Sequence, residues 1–195
     1  MQLGKLHTIP QPSHPCFASM IISTDTHIPH PLPLVYATYR DKLTDLLPYM
    51  PNVTSIIPKS RRENNGLIYT VNEWYGGGDI PMAARAIISQ DMLSWLEYNT
   101  WNEAEQSLEW RIETKAFTEA VDCQGKNYFR EKNGGTVVES RGKLTIDPQK
   151  IHGAPSFLVG QIARVVEEFL GSKIQPNLLQ MGEGVRKYLE RQIKV

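Results

Sequence analysis

The sequence predicts an α+β domain: a curved antiparallel sheet of about seven strands wrapped around a long C-terminal helix, with two short helices after the first strand and a short helix between the third and fourth strands. Three observations predict it. Between residues 53 and 146 apolar residues recur mainly with period two, interrupted by Asn65-Gly66 and Asn133-Gly134, the dipeptide favoured in type I′ hairpin turns. The last forty residues change to helical spacing. A sheet with one apolar face must cover it, and the closing helix carries the matching apolar stripe.

The elements follow in order. Prolines at 10, 12 and 15 mark residues 1–16 as an extended arm, ahead of a single domain over 17–195. "CFASMIISTD" (16–25) is rich in β-formers and reads as the first strand. Prolines 29, 31 and 33 then preset an extended approach and a helix first turn. Leu34, Val35, Thr38 and Tyr39, followed by Leu43, Leu46 and Leu47, give one or two short helices that Pro48 and Pro51 stop. The second and third strands flank Asn65-Gly66, and on the third Leu67, Tyr69, Val71, Glu73 and Tyr75 share a face taken as the inner one.

In "GGGDIPMAARAII" the glycines let the chain leave the third strand sharply, and Pro81 opens a short helix. A phosphate cradle is excluded: there is no GxxxxGK[ST], Pro81 stands where a third fingerprint glycine belongs, and Asp79 would repel an anion. The segment is either a lid with Met82, Ile87 and Ile88 facing a ligand, or a fixed cap with them in the core. "MLSWLEYNTWNEAEQ" is the fourth strand, with Trp95 and Trp101 on one parity that the pattern allows to face outward. In "SLEWRIETKAF" Leu108, Trp110, Ile112 and Thr114 alternate with charged residues, giving one buried and one wet face. The last hairpin puts Val121, Cys123, Gly125, Asn127 and Phe129 on one face, and Val138, Ser140, Gly142, Leu144 and Ile146 on its partner's. Leu158, Ile162, Val165, Phe169, Ile174, Leu178, Met181, Val185, Leu189 and Ile193 form the stripe of the final helix, started by Pro155 and kinked at Gly171 and Pro176.

Composition narrows the function classes. Lys plus Arg and Asp plus Glu both number 21, so no general attraction for nucleic acid is expected. Two cysteines without a CxxC motif, and five histidines without zinc spacing, predict no metal site and no cofactor. His27 and His30 read as a solvent-exposed pair beside a proline. Idle thiols, no signal-peptide core and no membrane-length apolar run point to a cytoplasmic protein.

At "ASMIISTDTHIPHPLPLVYATYRDKLTDLLPYMPNV" the chain resembles the helix-grip fold of the START and birch-pollen-allergen superfamily, SRPBCC. A first strand leads to a proline-flanked helix carrying Val35-Tyr36 and Asp41, then a Pro48-x-x-Pro51 exit into the second strand. The hairpin "REKNGGTVVESRGKLTI" and the closing helix agree, so the resemblance covers about residues 17 to 193. The glycine segment departs from the simplest members and resembles some bacterial subfamilies of unknown function. The resemblance implies binding or transport of a hydrophobic small molecule, such as a lipid, sterol-like compound, quinone or polyketide, in a cavity between sheet and helix.

No catalytic set is read from residue order. The candidate cavity residues are Tyr69, Val71, Glu73, Met82, Trp110, Ile112, Asn127, Phe129, Ser140, Leu158, Ile162, Val165 and Phe169. Glu73 is either a cavity carboxylate of raised pKa or a strand-end Glu reaching water or an arginine. Two alternatives stand beside carriage. One is a polyketide cyclase or dehydratase using Glu73 and Asn127; the other is an interaction module, whose exposed tryptophans would also allow a transient membrane contact.

Overall fold

The computed structural model describes residues 19–193, so the N-terminal arm expected over 1–16, and Cys16, lie outside the described residues. Seven strands form one antiparallel sheet: β1 (Ser19–Ile28), β2 (Val53–Asn64), β3 (Leu67–Gly76), β4 (Ser94–Asn102), β5 (Ser107–Thr114), β6 (Val121–Lys132) and β7 (Gly135–Ile146). Their order is β1-β7-β6-β5-β4-β3-β2. β2 to β7 are a meander, while β1 sits at the far edge beside β7. The segment between β1 and β2 therefore has to cross from one edge of the sheet to the other. It does so as helix α1 (Leu32–Asp41) and a 3-10 segment, Leu43–Tyr49. Helix α2 (Met82–Arg85) follows β3, and α3 (Val159–Ile193) closes the chain.

Local chemistry accounts for the boundaries. Asn65 and Gly66, and again Asn133 and Gly134, all have positive φ, the type I′ geometry that matches strand twist. Pro33 lies in the first turn of α1, where no backbone donor is needed. Pro58 sits at a register shift on edge strand β2, where a missing N–H breaks no ladder. Helix α3 starts at Val159, after a turn in which the Leu158 amide donates to the Pro155 carbonyl, and it runs unbroken past Gly171 and Pro176.

The core lies between the inner face of the sheet and the helices. Tyr36 and Tyr39 of α1 meet Phe129 edge-on at 5.1 and 5.2 Å, and Tyr36 meets Trp101 at 5.5 Å. Helix α3 packs on β1, β7 and the 3-10 segment. Its glycines allow the approach: a Cβ at Gly171 would stand 2.7 Å from Met20 Sδ, and one at Gly182 3.0 Å from Thr26 Cβ. A second small cluster joins Ile80, Ala84 and Ile88 to Phe169 of α3. The glycine segment is thereby packed as a cap, with Ile88 buried and Met82 86% exposed. Met82 is thus a correction to the expected cavity set: it points to solvent because Ile80, Ala84 and Ile88 take the inward side of this short turn. His30 is likewise buried beside β7, where the Thr136 hydroxyl donates to its carbonyl, while His27 is exposed.

One packing relation seats the cavity wall. Gly125 and Gly142 are cross-strand partners on the inner face, and Trp110 pairs with Gly125 from the next strand. The indole lies across both glycines: a Cβ at Gly125 would collide with the ring and with the Arg141 carbonyl, and one at Gly142 would come within 2.7 Å of the ring. We expect Gly125→Ala to destabilise the fold by about 1–3 kcal/mol, as overpacking does, with a change in near-ultraviolet circular dichroism from the displaced Trp110. Urea unfolding of the variant beside wild type checks this; an unchanged midpoint would contradict the packing described.

Candidate functional site

The sheet and α3 do not close on each other. Between them lies a cavity of about 600 Å³, within the range of small-molecule sites. Its wall comes from the inner faces of β3 to β7, from residues 170–181 of α3, and from the end of α1. It opens between α1 and β2, where the exposed lining residues Asp41, Thr44, Lys59 and Arg61 stand. The Arg61–Asp41 ion pair spans that mouth at 3.0 Å, and Arg40 holds Asp41 from the other side at 2.7 Å. Arg40 first, then Arg61, keeps the Asp41 carboxyl below its ordinary range.

All four tryptophans of the chain, Trp74, Trp95, Trp101 and Trp110, line this cavity. Trp74 and Trp95 are stacked, 5.7 Å between ring centroids and 12° between planes. Trp110 Nε1 donates to Asn127 Oδ1 at 2.9 Å, which fixes both side chains in the wall. The register of β3 on β4 then sets a polar patch among the aromatics: Trp74 faces Trp95, Asn72 faces Glu97, and Thr70 faces Asn99. Trp74 Nε1 and Asn99 Nδ2 both donate to Glu97 Oε2, at 3.1 and 3.0 Å. Burial, only partly opposed by these two bonds, pushes the Glu97 carboxyl up to about 6. Among the described residues Asn99 Oδ1, Trp101 Nε1 and Asn177 Oδ1 are buried without a hydrogen-bond partner, and all three side chains border the cavity. Such groups are costly unless something satisfies them.

Of the residues singled out in the sequence, Trp110, Ile112, Asn127 and Ser140 line the cavity. The others do not. Tyr69, Val71 and Glu73 are on the outer face of β3, whose inner side carries Ile68, Thr70, Asn72 and Trp74. The outer faces of β3 and β4 read as apolar because they carry aromatics sheltered by arginines: Arg62 lies over Tyr69 of β3 at 5.0 Å, and Arg111 over Tyr98 of β4 at 4.2 Å. Glu73 is paired with Lys59 at 3.1 Å, and this bond, with one from Tyr75, lowers its pKa instead of raising it. Trp95 and Trp101 turn inward with Glu97 and Asn99, which removes the exposed tryptophans on which a partner or membrane contact was expected.

Phe129 is buried among Tyr36, Tyr39 and Trp101, behind the wall. On α3 the cavity is met about three turns beyond the expected residues, by Leu170, Ile174, Leu178 and Met181 of the same helix. Ile162 packs into the main core, while Val165 and Phe169 pack under α2. Phe169 borders only a side chamber of about 80 Å³. Leu158 lies in the turn before α3. Glu97 and Asn99 were missed; the alternation Trp95, Glu97, Asn99, Trp101 was the available signal.

No family model matches the sequence, and no curated protein matches it. Solved structures do match in fold. The ZhuI aromatase/cyclase from Streptomyces sp. R1128 superposes with a TM-score of 0.62 at 14% identity, over 90% of this chain and 96% of that one. Norcoclaurine synthase from Thalictrum flavum gives 0.59 at 10% identity, over 95% and 98%. Ara h 8.0201 gives 0.51 at 13% identity, over 89% and 99%. With the open seven-stranded sheet and long closing helix, these show that the chain has a helix-grip fold.

The buried carboxyl makes a stability prediction. A group harder to ionise when folded stabilises fully below its unfolded value of 4.5, and loses that contribution as pH rises through about 6. Glu97→Gln keeps an acceptor for Trp74 and Asn99 and carries no charge. It is expected to be more stable than wild type by about 2 kcal/mol at pH 8, with the difference gone at pH 4. Chemical denaturation at the two pH values measures it; equal gains at both would sink the assignment of a buried, weakly acidic Glu97.

Proposed function

We propose that this helix-grip chain binds a flat, partly aromatic hydrophobic molecule carrying one or two hydrogen-bonding groups. The observation that carries the reading is the cavity of about 600 Å³ whose wall holds every tryptophan of the chain around one polar patch. Flat indole faces favour a ring system over a flexible acyl chain, so a quinone- or polyketide-like ligand fits better than a fatty acid. The polar side chains of Asn72 and Glu97, opposite one another on the cavity wall, then orient it. Similarity of fold to an aromatase/cyclase and to norcoclaurine synthase, one structure of which holds dopamine and hydroxybenzaldehyde, supports small-molecule binding as the use of such a cavity. A reducing compartment such as the cytoplasm suits the free, buried Cys123.

Because all four tryptophans border the site, ligand entry is read directly by their fluorescence. Menadione, a small quinone, is expected to quench it saturably, and native mass spectrometry of the purified protein to show a bound adduct. Met181→Trp, which fills the cavity from α3, is expected to weaken quinone binding on the order of tenfold or more without unfolding the chain. No saturable quenching by menadione, a sterol or a fatty acid, together with an adduct-free mass, would overturn the reading.

A further inference from the structure

We infer that Glu97 is an acid–base group that moves a proton to and from the carbon beside a carbonyl of an aromatic ketone held in the cavity. The inference rests on the binding reading above and adds chemistry to it.

Three observations support it. The first is geometric. Both protein donors, Trp74 Nε1 and Asn99 Nδ2, go to the same carboxylate oxygen, Oε2. Oε2 is anchored, while Oε1 takes no protein hydrogen bond among the described residues and is not among the atoms sealed from solvent-sized space. A carboxyl held by one oxygen with the other turned to a cavity is positioned to exchange a proton with whatever occupies it.

The second is electrostatic. Most of the other carboxyls whose ionisation is shifted have cations beside them: Asp41 has Arg40 and Arg61, Glu73 has Lys59, Glu105 has Lys126, and Glu183 has Arg186, while Asp91 is held by the Ser89 hydroxyl. Glu97 has none, and its ionisation is shifted by burial and the two N–H bonds alone. The charged groups that border the cavity are Arg40 and Asp41 from α1, Lys59 and Arg61 from β2, and Lys173 from α3. The first four are tied up in ion pairs at the mouth, and Lys173 lies over the Phe169 ring at 5.8 Å. At neutral pH Glu97 is therefore mainly a carboxylate, yet a stronger base than an exposed one, which is what proton abstraction requires.

The third concerns the carbonyl oxygen. Asn72 stands opposite Glu97 in the register and lines the cavity with it. Its amide N–H can donate to an oxygen on which charge develops.

The step balances without a co-reactant. Glu97 Oε1 takes the proton from the carbon beside the carbonyl; the C–H pair becomes the C=C bond, and the carbonyl π pair moves onto oxygen, which accepts the Asn72 hydrogen bond. Return of the proton to carbon restores ketone and carboxylate. In D2O the acid proton on Glu97 exchanges with solvent, and the carbon receives a deuteron.

The test uses the full chain and 1-tetralone, a flat aryl ketone. Binding is read by tryptophan quenching, and loss of the C2 protons in D2O by NMR, at saturating 1-tetralone for each variant. Wild type is expected to accelerate exchange on the order of 100-fold over buffer, the usual contribution of a positioned general base. The acceleration should fall as pH drops through about 6, where Glu97 takes up its proton. Glu97→Gln is expected to reduce exchange to the buffer rate, and Glu73→Gln, on the outer face, to leave it unchanged. Quenching with exchange at the buffer rate, or full exchange in Glu97→Gln, overturns the inference and leaves the binding reading standing. Absence of quenching by 1-tetralone and by menadione fails both.

Discussion

A seven-stranded sheet with one apolar face has to be covered by very little helix, and the rest of this structure depends on that shortage. Helix α3 cannot lie over every strand. Gly171 and Gly182 let it come close to β1, and it settles on β1, β7 and the 3-10 segment. Closeness at one edge leaves distance at the other. Across β3, β4 and β5 the inner face looks over the cavity at helix side chains such as Ile174, Leu178 and Met181, and the sheet's twist carries these strands further away. The cavity is the space left by a helix committed to one side.

Whether such a space fills or stays open depends on which side chains border it. Large aliphatics on β3 and β4 would close it. The positions opposite one another instead hold Thr70 with Asn99 and Asn72 with Glu97, short or polar, between the Trp74–Trp95 pair at one end and Trp101 at the other. Trp110 adds a third constraint, since it lies flat over Gly125 and Gly142 and not out into the void. Rigid aromatic walls and small polar groups between them hold a void that flexible aliphatics would collapse.

The fold was legible in the sequence because its signals are local and redundant. Two Asn-Gly turns fix two hairpins, prolines bracket α1 and the 3-10 segment, and the change from period two to helical spacing marks α3. The site was legible only where one strand face is plainly wet. On β5, Glu109, Arg111 and Glu113 mark the outside, so Trp110 and Ile112 were placed on the correct side. β3 and β4 offer no such contrast: Tyr69 and Tyr98 look buried but lie under arginines, and Asn72, Glu97 and Asn99 look exposed but line the cavity. The two strands are in register, so their faces are coupled. Turning Glu73 outward necessarily turns Asn72 and Trp74 inward, and with them Trp95, Glu97 and Trp101.

The placement of Glu97 is hard to account for as architecture. A half-buried carboxyl with no cation beside it costs stability at neutral pH, and a well-packed apolar residue of similar volume would cost none. Its two donors do not remove the cost; they only orient the group, leaving one oxygen for the cavity. Nearby, Asn99 and Trp101 keep polar atoms buried and unmatched, a second unfavourable feature at the same place. An unneutralised carboxyl and unmatched polar atoms on the same wall, in a chain where most other shifted carboxyls are held by a cation, are the expected signature of a surface whose missing partner is a ligand.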